Sequence, residues 1–96
     1  MKSYAWNPNK NETLIKERGI SFEEIVLNIE LGNEIEIFDH PNQKTYPDQK
    51  ISAVLIEDYV YLVPYMENEE EIFLKTIIPS RKATKHYLGE SNDKNG

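Results

Sequence analysis

The hydrophobic pattern of this 96-residue chain changes period between Gly32 and Glu34, and that change sets what it can fold into. Before it, Phe22, Ile25, Val26 and Ile29 recur at the spacing of one helix face. After it, Glu34-Ile35-Glu36-Ile37 alternates polar with apolar, and three runs rich in β-branched and aromatic residues follow: Lys50 to Ile56, Tyr59 to Met66 and Glu71 to Ile78. Helical segments, then strands, then a closing helix predict a single α+β domain.

Local signals place the elements. Tyr4-Ala5-Trp6 is a short aromatic N-terminal strand. Asn7 offers a capping side chain ahead of Pro8, so a helix runs from Pro8 to about Arg18, where Gly19 can take the left-handed conformation that ends it. Ser21 and Glu24 form a capping box with Ile20 stapled onto Ile25, and this second helix closes at Gly32. Glu57-Asp58 and Asn68-Glu69-Glu70 are breaks of hairpin length, which makes the later runs an antiparallel meander, while Pro41 to Gln49 reads as a longer loop. A three-residue turn at Asn68 to Glu70 would pair Tyr65 with Phe73 and Val63 with Lys75. Pro79 stops the last strand, and Ser80 caps a final helix that runs through Leu88 and ends at Gly89. The expected architecture is a short N-terminal strand, two helices, an antiparallel sheet of about four strands and a C-terminal helix. Residues 1–88 form the domain and 89–96 a frayed tail.

The absence of cysteine excludes disulfides, thiolate catalysis, thiolate zinc sites and iron–sulfur clusters. There is no Gly-rich phosphate loop, no Gly-x-Ser-x-Gly elbow and no His-Glu-x-x-His pair, and His40 lacks a second His at ligand spacing; no cofactor and no metal are expected. No run approaches the ~18 apolar residues of a membrane span, and the N-terminus lacks the apolar stretch of a secretion signal, so the expected address is the cytoplasm, away from membranes. A globule this small hides only roughly 60–65% of its unfolded surface, so it gains from a partner chain that adds buried area, and a homo-oligomer is one form of that.

Net charge is −6, with 17 acidic against 11 basic residues. Against that background the last helix stands out: Arg81, Lys82, Lys85 and His86 fall on one arc of a helical wheel, with Ala83, Thr84, Tyr87 and Leu88 opposite, and no acidic residue occurs from Phe73 to Leu88. Arg81 and Lys82 occupy the first helical turn, where the helix dipole disfavours cations by ~0.3–1 kcal/mol each. Three readings stand: a solvated face, a phosphate contact, or a docking face for an acidic partner. For phosphate, Arg81 supplies a bidentate grip, Lys82 and Lys85 point charge, and His86 a proton near neutral pH. Lys75 lies mid-strand between Phe73 and Ile77, and Tyr59, Tyr61 and Tyr65 share a strand face; aromatic platforms beside cations hold single-stranded RNA. Lys16 and Arg18 suit the C-terminal end of the first helix and could also line a groove.

The two ends of the chain together resemble the BrnT family of bacterial type II toxins. Trp6-Asn7-Pro8-Asn9-Lys10-Asn11 matches its Trp-Asp-Pro-x-Lys stretch, Gly19-Ile20-Ser21-Phe22-Glu23-Glu24 its Gly followed by Ser-Phe-Glu-Glu, and Arg81-Lys82-Ala83-Thr84 its Arg-x-Ala-Thr helix. Asn7 stands where the family favours Asp, Arg18 where it often has His, Lys50 nearest to where it carries a middle-strand arginine, and His86-Tyr87 where it continues Arg-Glu. The resemblance implies a fold similar to RelE-type ribonucleases, RNA cleavage that arrests translation, and a cognate antitoxin of the BrnA kind. Taken with the residues, it leads to the expectation of a metal-independent endoribonuclease with Arg81, Lys85 and His86 as catalytic groups and Lys75, Lys82, Lys16 and Arg18 as RNA contacts. The alternative is a non-catalytic toxin-like module whose basic helix docks an antitoxin-type partner.

Overall fold

A computed structural model of the chain describes residues 2–89; the expected tail from residue 90 onward lies outside the described residues. The short strand β1 (Ser3–Ala5) leads into Asn7, whose side chain accepts the backbone N–H groups of Asn9 and Lys10 and so starts α1 (Pro8–Arg18). Gly19 ends that helix at φ 67°, a conformation that costs most residues ~1–2 kcal/mol and glycine almost nothing. The capping box of Ser21 and Glu24 then starts α2 (Phe22–Glu30), with both reciprocal bonds made. Buried Asn11 welds the two helices together: its carbonyl accepts the Phe22 N–H and its amide donates to the Glu23 carboxylate, each at 2.8 Å.

Five further strands follow: β2 (Glu34–Asp39), β3 (Lys50–Ile56), β4 (Tyr59–Glu67), β5 (Glu71–Leu74) and β6 (Ile78–Pro79). They form one six-stranded sheet in the order β1-β5-β4-β3-β2, with β6 also on β4. Six strands replace the expected four or so, for two reasons. First, β1 joins the sheet beside β5, in parallel, with Tyr4 opposite Ile72. Second, the run expected as one strand from Glu71 to Ile78 is broken. The Lys75 N–H donates to the Pro64 carbonyl at 2.8 Å, but Pro64 has no N–H to return, so the ladder lapses there. It resumes at β6 with Ile78 opposite Leu62, one residue out of step with the Tyr65–Leu74 pair before the gap.

The β4–β5 hairpin also corrects the expected register. Asn68 accepts the N–H groups of both Glu70 and Glu71 on its side chain and donates its own N–H to the Glu71 carbonyl, which widens the loop by one residue and closes it with Glu67 opposite Ile72. Tyr65 therefore pairs with Leu74 and Met66 with Phe73, and Lys75 lies outside the strand. A slip of one residue exchanges faces. Tyr65 enters the core, while Phe73 shares the other face with Met66.

The two faces of the sheet are covered differently. On one, Val54, Val63, Tyr65 and Leu74 pack with Leu14 of α1 and Phe22 and Ile25 of α2, and Trp6 stacks on Phe22 with ring centroids 5.6 Å apart. The other carries Phe38, Ala53, Val60 and Leu62, and there the closing helix lies. That helix is α3 (Arg81–Thr84), extended by a π-helical turn over Lys85–Gly89; Gly89, expected to begin the tail, belongs to it.

Candidate functional site

The first turn of α3 is bonded directly to β4. Ser80 donates its N–H to the Val60 carbonyl at 3.1 Å, and its hydroxyl accepts the Ala83 N–H at 3.0 Å. The Thr84 hydroxyl accepts the Val60 N–H at 2.8 Å and donates to the Ser80 carbonyl at 2.7 Å. Both backbone groups of fully buried Val60 are thus satisfied by Ser80 and Thr84. One turn later the Tyr87 hydroxyl donates to the Glu36 carboxylate on β2. That bond to the carboxylate, before burial and the Glu36 charge, pushes the Tyr87 phenol up to about 12, so it keeps its proton across the neutral range. Tyr87, expected on the packed side, is half-buried as a tether.

Pinned at Val60 and Glu36, the helix exposes Arg81, Lys82, Lys85 and His86 and half-buries Ala83, Thr84, Tyr87 and Leu88. The π turn does not disturb that division. Among the described residues, the ion pair within 4 Å is that of Lys2 with Glu67, and Arg81, Lys82 and Lys85 have no such carboxylate. The four basic side chains do not share one groove. Arg81 and Lys85 line an open depression of about 490 Å³ with Thr84, Leu88 and the carboxylate of Asp58. Lys82 and His86 line a second of about 380 Å³ whose remaining walls are Phe38, Leu62, Ser80, Ala83 and Tyr87. The His86 ring meets the Tyr87 ring edge to face at 4.7 Å. One side of the ridge is charged; the other is cationic above an apolar, aromatic floor.

The remaining sequence candidates scatter. The Lys75 ammonium sits 5.5 Å from the centroid of the Phe73 ring, which places it on the same sheet face as α3. Lys16 is exposed on α1, in the layer across the sheet, and the Arg18 guanidinium donates to the Ile77 carbonyl at 2.5 Å, within the gap between β5 and β6. Lys50 begins β3 among carboxylates, in a depression with Asp39, Asp48 and Glu67. His40 is a loop residue whose Nδ1 accepts the Asn42 N–H.

Three residues that shape the site had no role in the sequence reading. Thr84 carries a hydroxyl four residues after Ser80 on the packed side of the helix, a spacing that signals a backbone clamp. Asn11 is a buried amide that shares the covered side of α1 with Leu14, which only its partners reveal. Asp58 reaches the ridge because the Glu57-Asp58 turn takes positive φ at both residues, 50° and 67°, as a two-residue hairpin of the primed type requires.

A family model described as the ribonuclease toxin, BrnT, of type II toxin-antitoxin systems matches residues 6–86, most of the chain, and ends inside the π-helical turn, short of Tyr87 and Leu88. No curated protein and no solved structure matches it.

Proposed function

Because the chain belongs to the BrnT family of type II toxin-antitoxin ribonuclease toxins, we propose that it cleaves RNA without a metal ion, arrests translation and is held in check by a BrnA-like antitoxin. The observation that carries this reading is the ridge itself: three exposed cations with no carboxylate partner among the described residues, on a short helix that two side-chain bonds hold in place, in a chain of net charge −6.

The ribose 2′-oxygen attacks the adjacent phosphorus, the bond to the 5′-oxygen breaks, and the products are a 2′,3′-cyclic phosphate and a 5′-hydroxyl. One proton leaves the 2′-hydroxyl and one reaches the departing oxygen. His86 or Lys85 carries these protons. Arg81 grips the phosphate through two parallel hydrogen bonds, and Lys82 adds charge where the transition state becomes more negative. The aromatic floor beside Lys82 and His86 suits a base next to the scissile phosphate. Lys75 continues the path on the same face, whereas Lys16 and Arg18 join it only if RNA rounds the end of the sheet.

A second reading is favoured by Tyr87. Where the resemblance sets a charged residue, this chain has a tether tied to Glu36, consistent with a non-catalytic module whose basic helix binds an acidic antitoxin segment. Incubating the purified chain with single-stranded RNA in a metal chelator separates the two. The enzyme yields fragments ending in cyclic phosphate, and Arg81→Ala with His86→Ala slows it by ~10²-fold or more. Intact RNA with the unaltered chain overturns the ribonuclease reading.

A further inference from the structure

A second surface of the molecule is as acidic as the ridge is basic. From Gly19 to Gln43 there is no Lys or Arg, while Glu23, Glu24, Glu30, Glu34, Glu36 and Asp39 all carry carboxylates. The last three lie on β2, which ends the sheet: its sole strand partner among the described residues is β3. The His40 N–H donates to the Gln49 carbonyl at 2.9 Å, so His40, Phe38 and Glu36 turn their backbone groups toward β3, and the alternating residues Ile37 and Asp39 turn theirs outward. Side chains on this edge are also apolar and uncovered. Ile35 is 38% and Ile37 49% exposed, and Ile37 lines a small groove with Ile29 of α2. β2 is bulged between Glu34 and Glu36, so the regular part of this open edge runs from Glu36 to Asp39, and an unpaired edge is a pairing site unless something blocks it.

The charges decide what can pair there. A second copy laid antiparallel along β2 would bring two edges together that each carry Glu34, Glu36 and Asp39 and no Lys or Arg, so no register offers a cation to offset the repulsion between them. A cationic strand would meet opposite charge along the edge and find Ile35 and Ile37 for its own aliphatic side chains. We propose that β2 is the docking edge for the antitoxin: an extended segment in which Lys or Arg alternates with aliphatic residues adds to the sheet and takes main-chain bonds from Ile37 and Asp39. The inference rests on the toxin reading for the existence of that partner, and it does not need the chain to cleave RNA. It assigns the partner to the outer backbone edge of β2 and RNA to the exposed cations of α3, although Glu36 and Phe38 of β2 also meet the closing helix.

The test is co-expression of the full chain with the antitoxin from the adjacent reading frame, followed by a binding titration. Ile37→Pro removes one outward N–H and leaves the donors facing β3 in place, and Ile37→Lys puts a cation on the acidic edge. Each is expected to weaken the complex by roughly tenfold or more, with circular dichroism and RNA cleavage as in the unaltered chain; should the proline variant unfold, the lysine variant decides. Joint replacement of Arg81, Lys82 and Lys85 by alanine is expected to leave antitoxin binding intact. Full binding by both Ile37 variants, loss of binding in the triple α3 variant, or self-association of the chain through Ile37 would each overturn the proposal. A chain that cleaves no RNA yet loses its antitoxin on Ile37→Lys would sink the ribonuclease reading and keep this one.

Discussion

Thr84 and Val60 are joined through one hydroxyl: Thr84 Oγ1 takes the Val60 N–H at 2.8 Å while giving its own proton to the Ser80 carbonyl at 2.7 Å. The threonine stands in for a strand partner just past the point where β6 stops pairing with β4. Thr84→Val keeps the shape and leaves the N–H of a fully buried residue without a partner, which costs about 1–3 kcal/mol. Urea denaturation should show that loss, Thr84→Ser should recover most of it, and RNA cleavage should fall with Thr84→Val because the ridge is then held on β4 by the Ser80 N–H alone at this turn.

Asn11 plays the equivalent part between α1 and α2, and Asn11→Ala should cost about 1–3 kcal/mol by freeing the Phe22 N–H in the core. It also changes the acid limb. The Asn11 amide, ahead of the bond from the Glu23 backbone, holds the Glu23 carboxyl below its ordinary 4.5. A carboxyl lowered by folding stabilises the protein above its unfolded value, and that contribution disappears as pH falls through the folded one. Stability of Asn11→Ala should therefore decline less steeply below about pH 4.5 than that of the unaltered chain, measured as urea midpoints against pH.

How much of this was legible depended on whether the determining contacts were local. The bounds of α1 follow from Asn7, Pro8 and Gly19, and the start of α2 from Ser21 and Glu24, because each cap bonds within four residues of itself. The exposure of Arg81, Lys82, Lys85 and His86 follows from helical period alone. The parallel pairing of β1 with β5 has no local signature, since Tyr4 and Ile72 lie far apart in the chain. Pro64 does announce a gap in a ladder, but which neighbour would lose its donor depends on the direction in which β4 turns that residue. The one-residue slip at Asn68 separated Tyr65 from Phe73 and with it the expected aromatic and cationic surface. The division of the ridge between two depressions depends on Asp58 and Phe38, brought in from two other elements.

The tyrosines give a reading of the α3 tether in alkali. Of the six, Tyr87 is pushed up to about 12 by its bond to Glu36, and Tyr65 to about 12 chiefly by burial and then by the Glu67 charge. A phenol raised by folding contributes stability that is complete below its ordinary 10.0 and is lost as pH rises through the folded value. Burial also raises Tyr4 and Tyr61, so an absorbance titration of tyrosinate should show a late phase to which Tyr87 belongs, and Tyr87→Phe should shrink that phase by one group. The same variant should leave most of the thermal stability in place, because the tether is exposed, yet lower RNA cleavage by loosening the turn that carries His86.

Asp58 links the strain of a turn to the charge of the ridge. At φ 67° it holds a left-handed conformation that glycine adopts freely, so Asp58→Gly should stabilise the β3–β4 hairpin by up to about 1 kcal/mol. The same carboxylate shares the depression with Arg81 and Lys85, where it opposes an incoming phosphate. Its removal should tighten binding of single-stranded RNA a few-fold at low salt, with the gain shrinking as ionic strength rises. Asp58→Asn separates the two effects: asparagine tolerates the left-handed turn and carries no charge, so it should reproduce the tighter binding with little change in stability. If neither variant binds RNA more tightly than the unaltered chain, the phosphate does not enter on the Arg81–Lys85 side, and the path runs instead through the aromatic depression of Lys82 and His86.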